Sequence, residues 1–201
     1  MSSVSTDFVP SARIDPPHSE ISGWTEEDYL GRHFEGLVEL VEGTLEILPM
    51  VTPYQQDVQV FLDHKLWETL KNGHPGRIYL APLRLKTSAR GYREPDILLV
   101  RPEHIPDKRA PALGADLVIE VVSGTASDSE RDDRDKRIDY ALARVPEYWI
   151  VDPDQKTILV LALDSERGQS VIHGEFPSGT IATSTAISEL KVDVDACFSV
   201  V

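Results

Sequence analysis

The sequence predicts a single α/β domain, on three observations. Between Pro111 and Pro153 an apolar β-branched run, a charged helical segment and a second apolar run follow one another, so this stretch reads strand, helix, strand. From about Tyr54 to Lys71 the apolar residues Val58, Phe61, Leu62, Leu66 and Leu70 recur at helical spacing, which predicts an amphipathic helix laid on a sheet. The 201 residues, 41% of them hydrophobic, suffice for one domain with a sizeable core, and two folded domains are not expected.

Taken in order, residues 1–22 carry Ser, Pro and Asp without periodicity and are expected to form a flexible arm, which leaves 23–201 as the domain. Thr25 stands three residues before Asp28, a capping-box spacing with Asp in place of Glu or Gln, and opens a short helix to about Gly31. Leu37–Val41 and Thr44–Leu48 flank Glu42-Gly43, where the glycine supplies the positive φ of a tight hairpin. The long helix that follows ends at Asn72-Gly73. Strands are then expected at Ile78–Leu80, Leu83–Thr87 and Ile97–Val100, with Ser88–Arg93 as the turn between the last two. Pro102–Leu113 contains three prolines and reads as a loop. The strand Asp116–Ser123, a helix from about Asp128 to Arg144 and the strand Glu147–Asp152 come next. Asp152-Pro153-Asp154 is a turn signal, and Thr157–Leu163, Ser170–Glu175 and Gly179–Ala182 add a C-terminal β-meander. Ile187–Val201 carries only a weak signal.

The single Cys197 excludes an intramolecular disulfide framework. No apolar run reaches the roughly 18 residues of a membrane span, and Met1–Thr6 lacks a basic segment followed by an apolar one. A cytoplasmic protein without a membrane partner is therefore expected. The formal net charge of −14 argues against a generally basic nucleic-acid binder, yet Arg77 to Arg109 holds eight cations against four acids. Arg84, Lys86, Arg90 and Arg93 are the candidates to meet phosphates there; a solvated hairpin explains the same cluster.

Glu120 interrupts an otherwise apolar strand. A buried, unpaired carboxylate costs several kcal/mol, so the residue either faces solvent at a sheet edge or has a partner or a metal. Asp96, after Pro95, opens the apolar run Ile97–Val100, where an acid sits at the mouth of a sheet or simply in a turn. On neighbouring strands the two would repel, raising at least one pKa, and a divalent cation with a preference for oxygen, Mg²⁺ or Mn²⁺, would relieve that repulsion. Lys136 lies four residues after Asp132 and four before Tyr140, so the three share one helical face. Beside a metal-bound water the lysine can orient it and stabilise charge on a phosphoryl oxygen. Periodicity alone makes Ile138, Ala141 and Leu142 the apolar stripe and points Lys136 at solvent.

Glu94-Pro95-Asp96, the Asp116–Ser123 strand, Asp132 with Lys136 and Tyr140, and Val145–Pro153 together resemble a widespread bacterial family of restriction-endonuclease-like proteins of the Uma2/DUF820 type, within the PD-(D/E)xK nuclease superfamily. The resemblance extends from the Glu39–Gly43 hairpin to the meander beyond Asp152. It implies a mixed β-sheet flanked by helices, with an N-terminal hairpin and a C-terminal meander, and Mg²⁺-dependent hydrolysis of DNA phosphodiester bonds. Asp96 and Glu120 match the family's metal-binding acids, and the carbonyl of Val121 is a further ligand candidate. The superfamily lysine two residues after the glutamate is Val122 here, so its role passes to Lys136. Gln55 falls where many relatives carry a histidine, and Ser123-Gly124 where Ser-Pro is usual. Glu39 matches a family glutamate near the site, although on an alternating strand it can equally be the exposed neighbour of Leu40. With Tyr140, Glu39 and Gln55 are accessory candidates.

Cys197 has no histidine near it in sequence, the six histidines show no ligand spacing, and no Gly-rich phosphate loop is present. Besides an endonuclease, the sequence is compatible with a catalytically weak nucleic-acid-binding relative and with a structural or protein-interaction module on the same fold. A nuclease that cuts both strands often acts as a dimer, so a homodimer is expected.

Overall fold

The computed structural model describes residues 21–71, 73–122 and 126–200. The expected arm falls outside these as far as residue 20, and Asn72 and Ser123-Gly124 also lie outside them. Ile21–Ser22 (β1) are strand, paired with the second arm of the hairpin. Thr25 caps the helix Glu26–Leu30 (α1) with the expected reciprocal Asp28 box. Val38–Val41 (β2) and Thr44–Ile47 (β3) form the hairpin, and both turn residues take positive φ, Glu42 at 48° and Gly43 at 81°, as a two-residue hairpin matched to strand twist requires.

The helix Pro53–Leu70 (α2) opens on a second capping box, Thr52 with Gln55, and buries Val58, Leu62, Leu66 and Leu70. Arg77–Leu80 (β4) and Leu85–Ser88 (β5) follow. The expected Ser88–Arg93 turn is shorter than its sequence suggests: Gly91–Arg93 is a strand (β6), paired with β5 and, through Tyr92 opposite Leu40, with β2. A Cβ on Gly91 would lie 2.7 Å from Ser88 Oγ and 2.8 Å from Thr87 Oγ1, so the tight return depends on glycine. Ile97–Val100 (β7) is not the partner of β5 but enters a different sheet.

Leu117–Val121 (β8), the helix Ala126–Leu142 (α3) and Glu147–Asp152 (β9) make the anticipated strand, helix, strand unit, with β8 and β9 parallel. Thr157–Asp164 (β10) and Gln169–Pro177 (β11) extend the sheet antiparallel. The result is a six-stranded mixed sheet, β11-β10-β9-β8-β7-β4, beside a five-stranded antiparallel sheet, β1-β3-β2-β6-β5. Ile181–Thr183 (β12) pairs with Lys191–Asp193 (β13) instead of continuing the meander, and the helix Val194–Phe198 (α4) closes the domain.

The central strands β7, β8 and β9 are buried on both faces, which is why they read as unbroken apolar runs. One face, with Ile97, Leu99, Leu117, Ile119 and Trp149, packs under α2 and α4. The other, with Leu98, Val100, Val118, Tyr148 and Ile150, packs under Tyr140 of α3 and Leu85 of β5.

On α3 the hydrophobic stripe anticipated from periodicity is not the buried one. Ile138 is 53% exposed and Leu142 63%, whereas Lys136 is 5% and Tyr140 1% exposed. Ala141 is buried as expected. The helix turns its polar face inward because the sheet beneath it carries a carboxylate, Glu120, that an apolar stripe could not satisfy.

Glu147, at the start of β9, shows a related device. Fully buried, it accepts from Trp149 Nε1 at 2.6 Å and from Ala186 N at 2.9 Å, and also from Thr185 N and Oγ1, so one carboxylate ties the β12–β13 connection to the sheet. Glu147→Ala leaves these donors unpaired and is expected to cost about 2–3 kcal/mol. Urea unfolding measures the loss, and limited proteolysis shows whether the 184–190 segment opens first.

Candidate active site

The register of β7 and β8, Ile97 opposite Ile119, continues one residue further to set Asp96 against Glu120. Both are buried, at 9% and 6% exposure. Asp96 Oδ2 accepts the Val121 backbone N–H at 2.7 Å, which fixes the carboxylate at the strand mouth. From α3, Lys136 Nζ reaches Glu120 Oε2 at 3.3 Å and Asp132 Oδ2 at 3.2 Å, and one turn later Tyr140 donates its hydroxyl to Glu120 Oε1 at 2.5 Å. Residues distant in the chain thus share one polar cluster, Asp96 with Glu120 and Lys136 on adjoining elements.

Burial pushes the Glu120 carboxyl up to about 8, with Asp96 and Glu39 adding to the rise and Lys136 opposing it. Burial also raises Asp96, against the pull of the Val121 N–H and Lys136. Burial works against the charge on Lys136, yet Glu120, Glu39 and Asp132 hold it well above its ordinary value. A permanent ammonium therefore faces two carboxyls that ionise reluctantly. The cluster is short of positive charge.

The cleft over these groups encloses about 600 Å³, including space open to solvent. It is lined by Glu94, Asp96, Glu120 and Val121, by Asp132, Asp133 and Lys136 of α3, and by residues that include Leu37, Leu48 and Gln55. Gln55 belongs to the helix cap: its Oε1 accepts the Thr52 N–H at 2.8 Å, and its Nε2 approaches the Val121 carbonyl at 3.5 Å. Among the described residues no three His, Cys, Asp or Glu side chains are arranged as a metal cage. Two carboxylates and a backbone carbonyl nonetheless suit a hard cation that keeps several waters, and the raised carboxyls give such an ion something to stabilise.

Glu39 is not the exposed neighbour of Leu40; both are fully buried. Its Oε2 meets Arg93 Nη1 at 2.7 Å and its Oε1 accepts the Glu94 N–H at 2.8 Å. Arg93, 1% exposed, also holds Asp139 through Nη2 at 2.6 Å and Glu46 at 3.2 Å. The other cations of the basic stretch are largely spoken for as well. Arg84 bonds Glu94 at 3.0 Å and lies over the Tyr29 ring, and Lys86 bonds Glu26 at 2.8 Å. Arg90 packs against the hairpin turn at Gly43. Arg84, Lys86 and Arg93 thus neutralise the chain's own acids, and Arg93 cannot reach a phosphate without breaking buried pairs.

Sequence reasoning missed the anchoring role of Arg93 and the placement of Asp133 and Glu94 at the cleft. Glu94 accepts the Val38 N–H at 3.1 Å and so ties the segment between β6 and β7 to β2. The available signal was the density of acids and cations packed into Arg93-Glu94-Pro95-Asp96, since a charged residue beside an apolar strand calls for a partner.

The sequence matches the profile of the family described as "Uma2: Putative restriction endonuclease" over residues 27–195. Among solved structures it is similar to "a putative nuclease belonging to DUF820 from Anabaena variabilis ATCC 29413". The two share 19% identity over 88% of this chain and 98% of that one, with a TM-score of 0.69, a likeness of fold. No curated protein matches the chain.

Proposed function

The chain belongs to the Uma2 family, and from that premise we propose that it is a metal-dependent endonuclease that hydrolyses phosphodiester bonds of DNA. The observation that carries this reading is the inward-facing lysine: α3 buries Lys136 beside Glu120, with Asp96 across the neighbouring strand, at the base of an open cleft. Asp96, Glu120 and the Val121 carbonyl would hold Mg²⁺ or Mn²⁺. When bound, that ion supplies a water acidic enough to attack phosphorus and a positive charge for the scissile phosphate. Lys136 orients the attacking water and neutralises charge gathering on the phosphoryl oxygen. Tyr140 holds Glu120 by its hydroxyl, and Glu39 reaches the cluster only through its field, its own oxygens being taken by Arg93 and Glu94. Cutting both strands calls for two copies of the site, so the reading includes a homodimer acting in the cytoplasm.

The test is titration of Mg²⁺ and Mn²⁺ into wild type and Glu120→Ala by calorimetry, with cleavage of plasmid and single-stranded DNA in parallel. Wild type is expected to bind metal at millimolar concentration or below and to cleave only with metal, and Glu120→Ala to do neither while remaining folded. Absence of metal binding and cleavage in wild type would sink the reading. One observation favours a second: with Arg84, Lys86 and Arg93 engaged internally, a relative that binds nucleic acid weakly, or a protein-interaction module, is the alternative. DNA binding that weakens with salt separates the first of these from the second.

A further inference from the structure

β11 ends the six-stranded sheet, and β10 is the one strand with which it pairs. Among the described residues no other segment hydrogen-bonds the backbone of residues 169–176, so alternate N–H and C=O groups along it face outward from the sheet. The strand is nine residues long. The other edges are short or covered. β4 has four residues and β1 two, and Ala112 lies along β5, accepting the Lys86 N–H and donating to the Arg84 carbonyl, each at 2.9 Å.

A free edge recruits another strand, and native proteins blunt it with charge, proline or a bulge. On β11 the proline is the last residue, Pro177, and the bulge is at His173, which has no Cα partner on β10. The residues before the bulge, Gln169, Ser170, Val171 and Ile172, carry no charge, in a chain of formal net charge −14. Val171 is 43% exposed and Ile172 63%. Neighbours on a strand point to opposite faces, so a cover laid on one face of the sheet cannot take both from water. A strand added alongside the edge can. Ser170 Oγ donates to the Arg137 carbonyl at 3.3 Å, so the turn of α3 that carries the exposed Ile138 stands next to this edge.

We propose that β11 is the surface through which two copies of this chain associate, the two strands pairing antiparallel about a two-fold axis at Val171. Such pairing is isologous, so each outward donor of one copy meets an outward acceptor of the other. In this register Ser170 lies opposite Ile172 and Gln169 opposite His173, and Arg167 comes to Glu175, each pair occurring twice. Both charges are available. Arg167 is 76% exposed with a long 3.7 Å contact to Asp164, and Glu175 is exposed. That self-complementarity of charge is what makes the occupant a second copy and not an unrelated strand. The inference rests on the homodimer in the reading above and on nothing in its metal or its chemistry.

Sedimentation velocity of the full chain over a range of concentrations, with neither metal nor DNA added, is the test. Wild type is expected to be a dimer. Val171→Lys sets two ammonium groups face to face at the axis and is expected to raise the dimer dissociation constant about 10²-fold. Arg167→Glu and Glu175→Arg each bring like charges together at both ends and are expected to raise it about tenfold, and the two combined to restore it. Circular dichroism checks that each variant folds; where Val171→Lys does not, the exposed charge pair carries the test. A monomeric wild type, a dimer that none of these changes weakens, or a double variant no tighter than the single ones overturns the proposal. A dimer that responds in this way but cleaves no DNA removes the nuclease reading and leaves the interface standing, whereas a monomer that cleaves does the reverse.

Discussion

Arg93→Leu is expected to destabilise the protein by about 3–5 kcal/mol, the cost of leaving buried charge without its partner. Arg93 is a buried cation bonded to Glu39, Asp139 and Glu46, and Glu39 is itself fully buried. Leucine fills much of the aliphatic volume but supplies no donor, so Glu39 keeps only the Glu94 N–H. For a chain of this size 1 kcal/mol corresponds to roughly 2–4 °C in Tm, so a drop on the order of 10 °C is expected by calorimetry or circular dichroism. The double variant Arg93→Leu with Glu39→Leu separates pairing from packing. If loss of pairing is the cause, the second substitution restores a large part of the Tm, because an apolar pair of similar volume needs no compensation. A further fall would assign the effect to packing.

Lys136→Met is expected to lower metal-dependent cleavage by about 10²–10³-fold, the range found when a group that stabilises transition-state charge is removed. Methionine matches the length and flexibility of the lysine stem, which limits the cavity left behind. Stability should suffer less than at Arg93. Glu120, already pushed up to about 8 by burial, can take a proton at neutral pH when the ammonium is gone, whereas burial has not stopped Glu39 from being held below its ordinary value by Lys136 and Arg93. Metal affinity read by calorimetry is expected to persist, with release of the proton that Glu120 takes up when the ammonium is gone. Metal binding with lost cleavage would assign the lysine to chemistry; loss of both would make it a support for the acids.

Much of the architecture was legible because local signals and global packing agree. The Thr25–Asp28 capping box, the Glu42-Gly43 turn and the double-buried strands β7, β8 and β9 each carry a local pattern that tertiary contacts reinforce. Family resemblance brought Asp96, Glu120 and Lys136 to attention as a set; their proximity rests on strand register and on which face α3 presents. Helical periodicity misjudged that face. A stripe of Ile138, Ala141 and Leu142 is the ordinary choice for burial, but a sheet that already buries Glu120 favours a cation and a hydroxyl over two aliphatic side chains. The internal pairing of the basic stretch was hidden for a similar reason, since charge counted along the chain does not say which acids lie across a sheet from it.

By itself the sequence determined an α/β fold, the order and approximate extent of its main elements, the turns that glycine must make, and an acidic chain with a local excess of cations between Arg77 and Arg109. These follow from nearest-neighbour conformational preferences and from hydrophobic spacing, which act over a few residues. Only the tertiary structure decided that β5 and β7 lie in different sheets, that Arg93 is an internal counter-ion, and that α3 turns Lys136 and Tyr140 inward. Those outcomes depend on pairing buried charge across elements distant in sequence, and the energy of such a pair is set by burial and distance in space.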